Sequence, residues 1–107
     1  MTPRLKSALW VQAMLRRGYA GAVLHKGDPD AGGILVVLRG RQGLAVFSRI
    51  TGQDGEPAWL RAGGAAPMSE QESDAYIARQ TARDPDLWAV ELETPDLVPP
   101  FEERIIS

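Results

Sequence analysis

Two Asp-Pro-Asp segments are the part of this sequence where residue types and spacing come nearest to a chemical site. The first contains Asp28 and Asp30, and the second contains Asp84 and Asp86. If the two loops meet in space, their four carboxylates could bind a hard divalent cation through oxygen ligands. The alternative is turn chemistry, because Asp followed by Pro is a common start of a type I β-turn. We favour the turns and predict no metal site, since both segments stand where the chain needs a turn.

One histidine and one pair of arginines could extend this site. His25 has no serine or threonine nucleophile beside it in a recognisable motif, so we predict no catalytic residue. Arg79 and Arg83 are four residues apart and share one face of a predicted helix. They could clamp an anion, but we favour pairing with Asp28, Asp30 or Asp84, because arginine binds carboxylates in bidentate fashion. The candidate binding loop therefore comprises His25, Asp28, Asp30, Arg79, Arg83, Asp84 and Asp86.

The N-terminal residues predict a partner surface. Residues 5–17 are expected to form a helix, because a cap position follows at Gly18. One apolar stripe suited to docking on the sheet consists of Leu5, Leu9 and Ala13. Trp10 and Met14 form a second stripe, and both residue types are enriched in interface cores, so we predict a homodimer through this helix. The open alternative is that the C-terminal segment covers Trp10 and Met14 within one chain.

The remaining elements must position these residues. Strands are predicted at 20–26, 33–39, 44–50, 57–62 and 87–93. The β-branched run at 33–39 indicates a central strand, whereas Pro57 indicates an edge strand. A second helix is expected from Ser69 to about Arg83, since Ser69 and Glu72 form a capping box and a proline follows Asp84.

The order of these elements is α-β-β-β-β-α-β. Short turns between the strands favour an antiparallel meander, and the last strand should join the same sheet. We therefore predict an α+β fold of two layers, in which a mainly antiparallel sheet of four or five strands packs on two helices. Residues 1–107 are expected to form a single domain, with a Pro-rich C-terminal tail at 94–107.

Composition excludes several classes of protein. The chain has no cysteine, which excludes disulfides and thiolate metal sites and fits a reducing compartment. No apolar run approaches the roughly 18 residues of a membrane span, and we identify no signal peptide, so we expect a cytoplasmic protein. The net charge of −2 and the singly spread basic residues argue against nucleic acid as a partner.

Three segments resemble one family of small bacterial proteins. They are Arg4-Leu5-Lys6-Ser7 with Trp10-Val11, Gly27-Asp28-Pro29-Asp30-Ala31-Gly32, and Arg83-Asp84-Pro85-Asp86-Leu87-Trp88. This family is domain-of-unknown-function family 1491, and the resemblance extends from about Arg4 to Glu93. It implies a small intracellular bacterial protein, but it implies no activity and no catalytic residues.

These observations lead to two hypotheses of function. The first is a non-enzymatic binding or interaction module that associates with itself or with another protein and needs no cofactor. The alternative is a small metal-dependent hydrolase, or another enzyme, that uses the carboxylates of the two Asp-Pro-Asp loops.

Overall fold

In the computed structural model of the protein, six strands of the described part of the chain form one mixed sheet. The strands are β1 (Gly21–His25), β2 (Ile34–Gly40), β3 (Gly43–Thr51), β4 (Pro57–Arg61), β5 (Trp88–Glu93) and β6 (Arg104–Ile106). Their order across the sheet is β1-β5-β2-β3-β4-β6. A helix, α1 (Glu70–Arg83), connects β4 to β5. The predicted α+β class is therefore confirmed.

The structure describes residues 13, 16, 21–28, 32–64, 66–97, 99 and 103–106. Of the predicted N-terminal helix only Ala13 and Arg16 are described, and both have helical backbone conformation. Trp10 and Met14, the predicted partner surface, lie outside the described residues, as does Asp30.

The position of β5 makes the sheet mixed rather than mainly antiparallel. β2, β3 and β4 form the predicted antiparallel meander. β5 enters between β1 and β2, pairing antiparallel with β1 and parallel with β2. The physical reason is the α1 crossover, which returns the chain to the starting end of β2 before β5 begins. One helix is resolved as an element in the described part of the chain, where two were predicted.

The C-terminal tail corrects two further expectations. Arg104–Ile106 forms β6, which pairs in parallel with β4, so the sheet of described strands has six members and β4 is not its edge. The indole Nε1 of Trp59 on β4 donates a hydrogen bond of 3.0 Å to Oε1 of Glu103, just before β6. This contact joins residues 44 positions apart, a distance over which sequence patterns carry no pairing signal.

β2 has the central position that its apolar run predicted. Ile34, Val36 and Leu38 belong to the core on one face of the sheet, while Leu35 and Val37 belong to the core on the other. All five side chains are at most 2% exposed. The second core is completed by partly buried residues from α1 and its flanks, namely Ala62, Met68, Tyr76, Ile77 and Leu87. Because both faces of β2 are buried, polar and apolar residues do not alternate along this strand.

The ends of α1 agree with the predicted helix signals. Oγ of Ser69 accepts a hydrogen bond from the backbone N–H of Glu72, and the Glu72 carboxylate accepts one from the backbone N–H of Ser69. The hydrogen bond that the Glu72 carboxylate accepts from the Ser69 backbone, and then that from the Ser69 side chain, lower the pKa of Glu72. The helix ends at Arg83, because Asp84 adopts an extended conformation before Pro85. The capping box is confirmed.

Candidate functional site

The two Asp-Pro-Asp segments meet through their main chains. The backbone N–H of Asp28 donates to the carbonyl oxygen of Asp86 at 2.9 Å. The carbonyl oxygen of Asp28 accepts from the indole Nε1 of Trp88 at 2.8 Å and from the N–H of Gly32 at 3.2 Å. The first loop is therefore attached to the start of β5 by peptide groups and one tryptophan. The sequence left this convergence open.

Two glycines make this close approach possible. A Cβ atom added at Gly27 would lie 2.0 Å from the carbonyl oxygen of Asp86, and one added at Gly32 would lie 2.1 Å from the same oxygen. Both distances are far below van der Waals contact, and the obstacle is backbone rather than a movable side chain. Any other residue at either position would push the loops apart. Close packing of the two loops therefore explains why glycine stands on each side of Asp-Pro-Asp in the first segment.

His25 contributes to the same junction. Its Nδ1 lies 2.7 Å from the carbonyl oxygen of Leu87, to which it donates a hydrogen bond when that nitrogen carries the proton. The β1–β5 register shifts between Val23 and His25, so the strand is irregular where the imidazole is placed. This geometry gives the histidine a structural contact that fastens the end of β1 to the start of β5.

The second segment follows turn chemistry. Oδ1 of Asp84 accepts a hydrogen bond from the backbone N–H of Asp86 at 3.2 Å, which is the pattern of an Asx turn. Asp84 and Asp86 are both exposed. Among the described residues, no group of three or more His, Asp or Glu side chains is arranged to hold a metal ion.

The arginines of α1 do not reach the described carboxylates of the loops. Arg79 and Arg83 are exposed, and neither forms an ion pair with Asp28 or with any other carboxylate in the described part of the chain. The structure thus brings His25, Asp28 and Asp86 together but leaves Arg79 and Arg83 in solvent. No pairing of Arg79 or Arg83 with Asp28 is found among the described residues, and the expected pairing with Asp30, which lies outside them, stays a prediction.

Sequence reasoning missed an ion-pair cluster on β2. The Arg39 guanidinium donates to Oε1 of Glu91 through Nε at 3.1 Å and Nη2 at 2.9 Å, and Nη2 also donates to Glu70. These bonds, first that with Glu91, raise the pKa of Arg39. The cluster ties β2 to β5 and to the first turn of α1. It depends on the parallel β2–β5 pairing, which the sequence did not predict.

A cleft of about 510 Å³ lies beside Arg39, between the β2–β3 turn and the start of α1. This is the end of β2 away from the two Asp-Pro-Asp segments, since Gly33 immediately before β2 pairs with Trp88. The Asp segments and this cleft are consequently separate features.

Sequence reasoning also missed an exposed apolar edge. β1 forms one border of the sheet, and its consecutive residues Val23 and Leu24 are 42% and 46% exposed. An exposed edge strand is a ready template for pairing with another chain. The signal was present in the sequence as an uncharged strand, Gly21–His25, but its place at the border depended on where β5 inserts.

Fold and site together define an α+β protein whose signature segments form a glycine-dependent junction at one end of a mixed sheet. The chain belongs to the family described as proteins of unknown function, DUF1491, whose model matches residues 5–102. The family resemblance of the sequence is thereby confirmed.

Solved structures agree with this assignment. A crystal structure of a DUF1491 family protein from Caulobacter crescentus CB15 has 35% identity and a TM-score of 0.83, covering 96% of this chain and 100% of that chain. An NMR structure of a DUF1491 family protein from the same organism has 34% identity and a TM-score of 0.83, covering 99% of this chain and 100% of that one. The solution structure of protein Atu0922 from A. tumefaciens has 30% identity and a TM-score of 0.72, and the match covers 86% of this chain and 87% of that chain.

No curated protein matches the chain. Within the part of the chain that the structure describes, no helix has the length and apolar character to cross a membrane.

Proposed function

We propose that this protein is a non-enzymatic interaction module of the cytoplasm that associates with itself. The observation that carries the proposal is the exposure of Val23 and Leu24, two large aliphatic side chains next to each other on a border strand. Scattered exposed aliphatic residues are ordinary, but these two lie on a strand whose outer edge pairs with no other described strand, and such an edge is a template for association.

The junction of the two Asp-Pro-Asp segments supports an interaction role over chemistry. Asp28 takes part through its peptide N–H and carbonyl groups, and the Asp84 carboxylate caps a turn. Close packing accounts for Gly27 and Gly32, and turn formation accounts for Asp84. A binding module needs such rigid scaffolding, whereas it needs no set of reactive side chains.

Sedimentation velocity between about 10 μM and about 1 mM tests self-association, a range suited to small interfaces. We expect the weight-average sedimentation coefficient to rise with concentration toward that of a dimer. The double variant Trp10→Asp with Met14→Lys tests the predicted helix surface. If the helix is the interface, this variant stays monomeric. A wild-type protein that is monomeric throughout the range would overturn the proposal.

One observation favours the alternative of a metal-dependent enzyme, namely that the two Asp-containing segments meet. Calorimetric titration with magnesium, calcium, manganese and zinc separates the two functions. We expect no binding tighter than about 100 μM, weaker than cytosolic calcium sensors. A micromolar isotherm that disappears in Asp28→Asn would favour the enzyme.

A further inference from the structure

We propose that β6 is exchanged between two copies of this chain, so that β6 of each molecule pairs with β4 of the other in a closed dimer. This inference rests on the self-association proposed above and names the element that the two copies share. It places the contact at the β6 border of the sheet, whereas the sequence placed it on the N-terminal helix. The exchanged dimer keeps the β4–β6 contacts of the single chain, because the two copies have identical strands.

Two unfavourable features meet in the turn where the C-terminal tail leaves β5, at residues 94–97. The turn is closed by a hydrogen bond of 2.8 Å from the N–H of Leu97 to the carbonyl oxygen of Thr94. Leu97 has a φ of 56°, a left-handed conformation that is disfavoured for a residue with a side chain. The Thr94 hydroxyl is buried and has no hydrogen-bond partner among the described residues. Strained residues cluster where a chain switches between conformations, so this turn is suited to act as a hinge.

β6 is held to the sheet by a short pairing and by side chains at the surface. It has three residues, and the central Ile105 is 38% exposed. The Trp59 indole donates to Glu103, while the pair of Arg104 with Asp54 is exposed and contributes little. A short strand at a border opens more easily than the strands of the core. The tail can therefore leave β4 while the rest of the sheet stays folded.

The structure identifies what fits the outer edge of β4. Residues 104–106 pair in parallel with residues 58–60, and Glu103 supplies an acceptor to the buried indole of Trp59. When the tail leaves, the edge loses its strand and this indole loses the Glu103 carboxylate. A second copy of the tail restores the same strand, the same carboxylate and the same register. The occupant of the opened edge is therefore β6 of another copy.

The connection between β5 and β6 favours exchange. β5 runs parallel to β2, and β6 runs parallel to β4, so β5 and β6 point in the same direction. Within one chain, the ten residues 94–103 must turn back before β6 begins. This segment contains Pro95, Pro99 and Pro100, and proline-rich linkers prefer extended conformations, which reach at most about 35 Å over ten residues. An extended linker carries β6 away from its own β4 and toward a second molecule.

A locked tail is the first test. Leu60 and Ile106 are Cα partners across the β4–β6 pair, so cysteines introduced there lie close enough for a disulfide, and the chain has no other cysteine. The double variant Leu60→Cys with Ile106→Cys is oxidised below about 10 μM, where single chains predominate. We expect the oxidised form to stay monomeric up to about 1 mM in sedimentation velocity. The reduced form should dimerise like the wild type and is the matched control.

A cross-link between molecules is the second test. Leu60→Cys and Ile106→Cys are prepared as separate variants, mixed and oxidised, and linked peptides are identified by mass spectrometry. The control mixes Leu60→Cys with Val23→Cys, since Val23 and Leu60 are 42% and 40% exposed and report random collisions. We expect the link between positions 60 and 106 to be at least about tenfold more abundant than the control link. Thiols held in one interface react at a high effective concentration.

Two matched variants test the strain at Leu97. Leu97→Ala and Leu97→Gly both remove a side chain that packs against the core, but only glycine adopts the left-handed conformation without penalty. We expect Leu97→Gly to dimerise about fivefold more weakly than Leu97→Ala, because relief of strain favours the closed chain. Circular dichroism verifies that both variants fold. Equal dimerisation of the two would overturn the role of this turn as the hinge.

The outcomes separate this inference from the proposed function. If the oxidised double variant dimerises like the wild type, β6 is not exchanged, while self-association stands. A link between positions 60 and 106 that is no more abundant than the control link also overturns the inference alone. If the wild type remains monomeric up to about 1 mM, both the inference and the proposed function fail.

Discussion

The two borders of the sheet are each attached near a buried tryptophan, but by different chemistry. At the β1 border, Trp88 donates to the carbonyl oxygen of Asp28, within a junction of peptide groups that leaves no room for a side chain at Gly27. At the β6 border, Trp59 donates to the carboxylate of Glu103, and the exposed Arg104 lies 3.6 Å from Asp54. Main-chain contacts cannot move without moving the chain, whereas long side chains adjust. The comparison indicates that the β1 border tolerates substitution less than the β6 border.

The largest effect is expected from Gly27→Ala at the β1 border. The added Cβ would meet the Asp86 carbonyl oxygen at 2.0 Å, so the free energy of unfolding in urea should fall by about 3 kcal/mol or more. Gly33→Ala is the matched control, because its Cβ would meet only the end of the Leu87 side chain at 3.1 Å. Equal losses in the two variants would contradict the close-approach explanation.

Trp88→Phe should have the next largest effect. It removes the indole donor to Asp28 and part of a side chain that is only 6% exposed. We expect the free energy of unfolding to fall by about 2 kcal/mol, from the lost hydrogen bond and the lost packing together. Amide hydrogen exchange should show faster exchange at the Asp28 and Gly32 N–H groups than in the wild type. If these two groups are protected from exchange as well as in the wild type, the tryptophan contact does not stabilise the loop.

Glu103→Ala tests the tryptophan contact of the other border. Loss of the acceptor for the Trp59 indole should lower the free energy of unfolding by about 1 kcal/mol. Glu103→Gln keeps an acceptor oxygen at the same place and should remain close to the wild type. A loss as large as that of Gly27→Ala would remove the difference between the borders.

Arg104→Gln should have the smallest effect. The Arg104 and Asp54 side chains are 57% and 51% exposed, and pairs of this kind contribute about 0–1 kcal/mol. We expect a loss below about 0.5 kcal/mol that disappears in about 1 M salt, where exposed charges are screened. A larger, salt-independent loss would show that Arg104 acts through packing.

Local elements could be predicted because their signals are local. The capping box of Ser69 and Glu72, the apolar run of β2 and the alternation of β5 each depend on residues within a few positions of one another. The β2–β3–β4 meander could be predicted for the same reason, since a short turn places each strand beside the one that precedes it in the chain.

The site could be predicted only in part. The Asx turn at Asp84 follows from residue types, because an aspartate side chain can accept from the N–H two residues ahead. Pairing of Arg79 or Arg83 with Asp28 is not found among the described residues, since charge alone does not place side chains, and pairing with Asp30 stays a prediction. The N-terminal partner surface, Trp10 and Met14, stays a prediction.

By itself, the sequence determined the α+β class, the predicted strands, the ends of α1 and membership of the family. Only the tertiary structure decided that β5 inserts between β1 and β2 and that the tail adds β6 beside β4. It also decided that the two Asp-containing segments meet. Each of these contacts joins residues more than 40 positions apart, and they form because the sheet buries apolar residues on both faces. Burial is nondirectional, so no local pattern specifies which distant strand becomes the neighbour.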